Sequence, residues 1–126
     1  MKNPILAGFV AGILSAVTGT TIMVTSYYLG YIETDLPTNS VIVTHMMVNT
    51  IYGIIFGVIY SKLYNTIPGK GLWKGLVYCL LLFLLSNIFA ISYYTVSLNY
   101  PAGAGWVGGI YVLLVYGLIL GALYKK

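Results

Sequence analysis

Four long apolar stretches, interrupted by lysine only near their ends, constrain this chain more than any other feature. They cover residues 4–28, 40–63, 72–97 and 104–124. A helix rises about 1.5 Å per residue, so each stretch is long enough to cross a hydrocarbon layer about 30 Å thick. The 126 residues are 60% hydrophobic and only 6% charged, too few charges to cover the surface of a soluble domain. The sequence therefore predicts a multi-pass integral membrane protein.

The pattern within these stretches favours helices over the strands of a membrane barrel. A barrel strand alternates apolar and polar residues, and runs such as "YCLLLFLLSNIFAI" do not alternate. We expect an all-α fold, a bundle of four transmembrane helices that forms a single domain over residues 1–126. The first stretch is longer than the hydrophobic core of a signal peptide, and we interpret it as a retained helix.

The distribution of charge predicts the orientation. With four spans, all six lysines fall on one side of the bilayer, which the positive-inside rule makes cytoplasmic. They are Lys2, Lys62, Lys70, Lys74, Lys125 and Lys126. The acidic residues Glu33 and Asp35 lie in the first connection, on the other side. We expect both termini in the cytoplasm, and we attribute the net charge of +4 to topology and contact with the lipid bilayer rather than to nucleic acid.

Aromatic residues occur where the spans meet the predicted interfaces. Trp73 and Trp106 begin the third and fourth spans, so we expect them to anchor opposite faces of the bilayer. Most of the 13 tyrosines are interpreted in the same way, with Tyr60, Tyr64 and Tyr124 at the cytoplasmic boundary.

An internal similarity suggests a duplicated unit. The final "YGLILGALYKK" resembles "YGIIFGVIYSK", which begins at Tyr52, 64 residues earlier. Two proline pairs share this spacing, Pro4 with Pro68 and Pro37 with Pro101. Gly8 and Gly75 match only at a spacing of 67, so the first helix of each unit is offset. We predict two parallel two-helix repeats, about 1–64 and 65–126, related by an axis normal to the membrane.

Glycines recur at intervals of four residues, which places them along one face of a helix. Small residues on such a face let backbones approach closely, and this packing drives helix association in lipid. The predicted packing residues are Gly8, Gly12, Gly53, Gly57, Gly105, Gly109, Gly117 and Gly121. Two interpretations stay open: the glycines pack the four helices on each other, or one glycine face contacts another subunit.

Polar side chains inside the spans are the first candidates for function. They are His45, Asn49, Asn87, Ser86 and Thr21. A haem or copper site using His45 is one interpretation, although the chain supplies a single imidazole. The simpler one is a hydrogen bond from His45 to Asn49 or to a neighbouring helix. We expect the other polar residues, including the threonines at 18, 20 and 25, to bond between helices, and we predict no metal and no cofactor.

Catalytic motifs are missing from the sequence. Glu33 and Asp35 lie two residues apart in one connection, with no partners for acid–base chemistry. The "PGKG" at Pro68 lacks the preceding strand and the GKS/T ending of a phosphate-binding loop, so it predicts a turn. Cys79 has no partner for an intrachain disulfide. We predict that the protein is not an enzyme.

Most of the chain has a family resemblance, which four segments carry in order: "GFVAGILSAV", "YGIIFGVIYSKLY", "IPGKGLWKGLVYCLLLFLL" and "LVYGLILGALY". It resembles a group of uncharacterised small prokaryotic membrane proteins that includes the YagU-like inner-membrane proteins. The resemblance implies a four-helix fold and its topology, without a biochemical role. Members often carry a histidine one turn before each GxxxG motif, where this chain has Asn49 and Leu113, with its histidine one turn earlier at His45.

Three functions follow from this sequence. The leading one is a non-catalytic accessory or structural subunit that packs through its glycines, as a homo-oligomer or in a larger membrane complex. The second is a small transporter or channel assembled from several copies, because one four-helix bundle has little room for a lined pathway. The third is a haem- or copper-binding membrane protein using His45.

Overall fold

The described part of this computed structural model contains four helices. They are α1 (Pro4–Tyr28), α2 (Asn39–Leu63), α3 (Leu72–Ser97) and α4 (Ala104–Leu123). The structure describes residues 1–31, 38–97 and 104–126, except for the side chains of residues 23, 41, 86–97 and 104–112. These residues contain no strand, so the all-helical prediction is confirmed. Each helix begins and ends within one residue of the apolar stretch that predicts it.

The start of α1 follows from its first residues. The side chain of Asn3 caps the helix, because its Oδ1 accepts the backbone N–H groups of Ile5 at 2.9 Å and Leu6 at 3.2 Å. Pro4 occupies the first helical position, where its missing N–H costs nothing. The dipeptide Asn3-Pro4 therefore defines where α1 begins.

The connection between α2 and α3 is a glycine turn. Gly69 and Gly71 have φ values of +99° and +52°, in the left-handed region that glycine adopts without steric cost. The "PGKG" segment therefore forms the turn that the sequence predicts, and it directs the chain back into α3.

The helices pack in a defined order. α1 lies against both α2 and α4, and α3 lies against α4. The two termini meet at one end of the bundle, where the backbone N–H of Lys125 donates to the Met1 carbonyl oxygen at 3.0 Å. Segment 64–71 lies at the same end, because the rings of Tyr64 and Tyr124 are 5.4 Å apart. We call this end, with both termini and segment 64–71, the basic end, since all six lysines lie in or beside it.

The core consists of small residues and tyrosines rather than large aliphatic side chains. Its buried members are Ala7, Ala11, Tyr60, Ile67, Tyr78, Cys79, Tyr116, Leu120 and Tyr124. Many leucine, isoleucine and valine side chains on the described faces of α1, α2 and α3 are exposed instead. The apolar surface of this protein therefore points outward.

Backbone contact between glycines joins α1 to α2. A Cβ atom added at Gly53 would lie 2.6 Å from the carbonyl oxygen of Gly8, and one at Gly57 would lie 2.7 Å from that of Pro4. Real Cβ atoms essentially never come so close to an oxygen, so only glycine fits at both positions. We call this contact the first glycine seam.

A second glycine seam joins α3 to α4. A Cβ atom added at Gly117 would lie 2.6 Å from the carbonyl oxygen of Gly75, and one at Gly121 would lie 2.7 Å from that of Gly71. The side chain of Cys79 also packs on Gly117. The pairs α1–α2 and α3–α4 are thus held by the same kind of contact.

Two helices have the length and apolar composition needed to cross a membrane. They are α1 over Pro4–Tyr28 and α2 over Ile42–Leu63. In the rest of the described chain, Leu72–Leu85 and Leu113–Leu123 are shorter apolar helical stretches. At this coarse level, length and composition point weakly toward a membrane protein.

We predict that Gly53→Ala destabilises the fold even though alanine improves helix propensity by about 1 kcal/mol. The new methyl group would meet the Gly8 carbonyl oxygen and the Gly12 Cα at 2.6 and 2.7 Å, which forces α1 and α2 apart. We expect a net loss of about 1–3 kcal/mol, measured by thermal unfolding of the purified protein. Ala122→Val, which adds carbon atoms at an exposed position of α4, is the control and should cost less than about 0.5 kcal/mol. A Gly53→Ala protein as stable as the parent would contradict the seam.

Candidate functional site

Four tyrosines pack together at the basic end. The ring centroid of Tyr60 lies 5.0 Å from that of Tyr78, 5.6 Å from Tyr64 and 5.8 Å from Tyr124. Their tilted and edge-to-face geometries suit the charge distribution of aromatic rings. Tyr60 lies in α2 and Tyr78 in α3. Tyr64 and Tyr124 directly follow the last residues of α2 and α4, so the cluster joins three helices. Together with Lys74 we call them the tyrosine–lysine cluster.

Lys74 is the one lysine of the cluster, and it is only 8% exposed. Its Nζ donates to the carbonyl oxygen of Tyr64 and lies 4.1 Å from the centroid of the Tyr64 ring. Tyr64 follows the last residue of α2, where carbonyl groups have no helical partner and a positive charge is favourable. The hydrogen bond and the cation–π contact satisfy the buried ammonium group. Lys74 therefore ties the start of α3 to the end of α2.

Two buried tyrosine hydroxyls donate to carbonyl groups of α2. Tyr78 donates to the oxygen of Phe56 at 2.8 Å, and Tyr116 donates to the oxygen of Gly53 at 2.7 Å. The second bond ends in the first glycine seam, so it links α4 to the contact between α1 and α2. The hydroxyl of Tyr60 is buried and has no hydrogen-bond partner among the described residues.

The predicted polar candidates of α2 pair with each other. Nδ2 of Asn49 donates to the backbone oxygen of His45 at 2.8 Å and lies 3.2 Å from Nδ1 of its ring. In the described part of the chain, no group of three or more His, Cys, Asp or Glu side chains is placed to hold a metal ion. No observation therefore favours a haem or copper site at His45.

The threonines of α1 correct one expectation. Thr18 donates to the Leu14 carbonyl oxygen at 2.8 Å and Thr21 to that of Val17 at 2.9 Å, so both bonds stay within α1. The predicted bonds to other helices are wrong for these two residues. A threonine hydroxyl reaches the carbonyl four residues before it without help from any neighbour.

The tyrosines of the basic end correct a second expectation. Tyr60 and Tyr124 are buried inside the tyrosine–lysine cluster, so they pack on other rings instead of serving as exposed anchors. Ring packing between three helices hides them, and the sequence pattern alone does not distinguish a buried ring from an anchoring ring. Trp73, in contrast, is 68% exposed on the first turn of α3.

Most of the predicted packing glycines lie inside the seams. Gly8, Gly53 and Gly57 belong to the first seam, and Gly117 and Gly121 to the second. Gly12 extends the first seam, since a Cβ atom there would lie 2.8 Å from the Asn49 carbonyl oxygen. The remaining candidates fall outside the described side chains: Ser86, Asn87, Trp106, Gly105 and Gly109.

A cavity of about 360 Å³ opens between α1 and α2, away from the basic end. It is lined by Val17, Thr20, Thr21, Val24, Thr25 and Met46. The Oγ1 atom of Thr20 is buried and has no hydrogen-bond partner among the described residues.

Sequence reasoning missed the residues that join the two helix pairs. It treated Lys74 as a signal of topology and lipid contact, and it gave Tyr78 and Tyr116 no bonding role in the fold. A signal was available, because Tyr78 lies four residues after Lys74 and thus on the same helix face.

The fold and the site define a small all-helical protein with two glycine seams and one basic end. In comparisons with known proteins, no family profile, curated protein or solved structure matches the chain. The resemblance to the YagU-like group remains a prediction from the sequence.

We predict that Tyr116→Phe costs about 1 kcal/mol, because it removes a buried hydroxyl and leaves the ring in place. Tyr52→Phe is the matched control, because it removes the same hydroxyl oxygen from a tyrosine of α2. The Tyr52 side chain is 54% exposed, whereas that of Tyr116 is 4% exposed. Thermal unfolding of the two variants should show a lower midpoint for Tyr116→Phe alone. Equal midpoints would mean that the bond to Gly53 adds nothing to stability.

Proposed function

We propose that the chain is a multi-pass membrane protein whose four helices span the bilayer with the basic end in the cytoplasm. Burial supports this proposal. Only 11% of the most apolar 18-residue segment of α2 is buried inside the fold, and 33% of the corresponding segment of α1. A core helix of a soluble protein would be mostly buried, and a soluble surface rarely exposes continuous apolar faces of this size. The lysines at one end fit the positive-inside rule.

This topology predicts the side on which introduced cysteines react. Thr38→Cys lies before α2 and Asn65→Cys lies in segment 64–71, and both positions are exposed. Native Cys79 is buried and gives no background. A membrane-impermeant maleimide added to intact cells should label position 38, and should label position 65 only after permeabilisation. Labelling of both positions in intact cells would contradict the spanning topology, and the reverse pattern would invert it.

We propose further that the helix pairs α1–α2 and α3–α4 are two repeats of one unit. The seams support this residue by residue: Gly75 stands 67 positions after Gly8, and Gly117 and Gly121 stand 64 positions after Gly53 and Gly57. A Cβ atom added at equivalent glycines would lie equally close to the partner carbonyl oxygen, at 2.6 Å for Gly53 and Gly117 and at 2.7 Å for Gly57 and Gly121. In the seams Pro4 corresponds to Gly71, also at an offset of 67, rather than to Pro68.

The units differ where they face each other. Ala7 and Ala11 of α1 correspond, at the same offset of 67, to Lys74 and Tyr78 of α3. α1, with its small alanines, packs against α4. The larger Tyr78 contacts α2 through a hydrogen bond to Phe56 and a ring contact with Tyr60. Two similar hairpins thus assemble into an asymmetric bundle.

We propose that this bundle acts as a non-catalytic structural or accessory subunit, as a homo-oligomer or within a larger membrane complex. One observation carries this proposal: five described polar side chains are hydrogen-bonded to the fold itself. The Lys74 ammonium and the hydroxyls of Tyr78 and Tyr116 all bond to backbone carbonyls, as do those of Thr18 and Thr21. Because the described glycines of both seams are used internally, contact with another subunit falls to the apolar outer faces, above all that of α2.

Cross-linking in native membranes tests this assignment. Single cysteines at Met47, Ile51 and Ile55 lie on the exposed face of α2, and a cysteine at exposed Leu14 on α1 is the control. We expect a bifunctional maleimide to join the α2 positions, to a second copy or to a partner, more efficiently than position 14. A monomer in mild detergent with no cross-link at any position would contradict the accessory role.

A small transporter is the second candidate, and the threonine-lined cavity is the observation that favours it. The test is solute flux into liposomes that contain the protein. A flux that is lower for Thr20→Val than for the parent, together with no cross-links at the α2 positions, would favour this function over the first.

A further inference from the structure

We propose that the basic end binds the headgroups of anionic phospholipids in preference to zwitterionic ones. This inference rests on the proposed membrane function and adds a partner for one end of the bundle. It starts from a division among the lysines that only the structure makes.

One lysine is already bonded within the fold, and five are exposed and can contact a ligand. Lys74 is buried against the carbonyl oxygen and ring of Tyr64. The others are exposed at the same end: Lys2, Lys62, Lys70, Lys125 and Lys126. In the sequence both carboxylate side chains fall between α1 and α2, whereas every lysine lies near a terminus or near segment 64–71. The exposed ammonium groups therefore have no carboxylate side chain among their sequence neighbours.

The surroundings of Lys70 favour a lipid over other anions. Leu72 and Trp73 follow within one turn, and both are strongly exposed on the start of α3. A headgroup phosphate beside Lys70 would place its acyl chains along these two apolar side chains, where an indole ring is stable between water and hydrocarbon. A nucleic acid or an acidic protein would gain from the lysines but would leave both side chains in water. An anionic phospholipid uses charge and apolar surface together.

Brominated lipids read this preference directly, because bromine quenches tryptophan fluorescence at contact. The chain has two tryptophans, Trp73 at the basic end and Trp106 near the start of α4, roughly 25 Å along the helix from Leu123. Trp106→Phe leaves only the first reporter and Trp73→Phe only the second. Each variant is reconstituted in vesicles that contain brominated phosphatidylglycerol or brominated phosphatidylcholine in an otherwise identical mixture.

We expect phosphatidylglycerol to quench Trp73 at a lower mole fraction than phosphatidylcholine, and the two lipids to quench Trp106 alike. Each lysine beside the headgroups contributes up to about fivefold to the preference. Lys70→Gln in the Trp106→Phe background should therefore reduce the preference severalfold, Lys70→Arg should keep it, and high salt should weaken it.

The outcomes separate the two proposals. If neither tryptophan is quenched by either lipid, the membrane assignment itself fails. If Trp73 is quenched equally by both lipids, the protein is embedded but the basic end has no headgroup preference. A preference that appears equally at Trp106, or that survives Lys70→Gln and high salt unchanged, would also overturn the inference.

Discussion

Direct contact between helix backbones is the constraint on which the rest of this structure depends. At Gly53 and Gly117 the space for a single Cβ atom is already filled by the carbonyl oxygen of another helix. Such contact gains dispersion energy over a long surface, and it needs no large side chains between the helices. The bulky aliphatic residues are thereby left for the outside of the bundle, where Leu84 and Ile51 are exposed. The same feature that holds each hairpin together creates its apolar surface.

Side chains, rather than glycines, decide how the two hairpins meet. Tyr116 bonds to the Gly53 oxygen and so connects α4 to the first seam. In the proposed repeat, Lys74 and Tyr78 correspond to alanines of the first hairpin. They contact α2 and its C-terminal end through hydrogen bonds and ring contacts. A buried ammonium group is stable only with partners, and the free carbonyl of Tyr64 at the end of α2 supplies one. The basic end is consequently both a structural joint and a charged surface.

The polar residues illustrate how far a sequence pattern reaches. The contact between His45 and Asn49 could be predicted, because residues four apart in a helix are neighbours. Thr18 and Thr21 were wrongly predicted to bond to other helices, and both bond within α1. A sequence does not say whether a hydroxyl finds a nearer acceptor within its own helix. The burial of Tyr60 depends on rings from three different parts of the chain, and no local pattern contains that information.

The sequence by itself determined that this protein is helical and where each helix lies, because apolar length, Asn3-Pro4 and the glycine turn act locally. It also determined that the lysines belong at one end, since the order of helices and turns places them there. Only the tertiary structure decided that the described glycines pack within each hairpin, that Lys74 differs from the other lysines, and that Tyr116 is buried while Tyr52 is exposed. Those outcomes depend on which helix faces which, and that choice is made by packing between residues more than 60 positions apart.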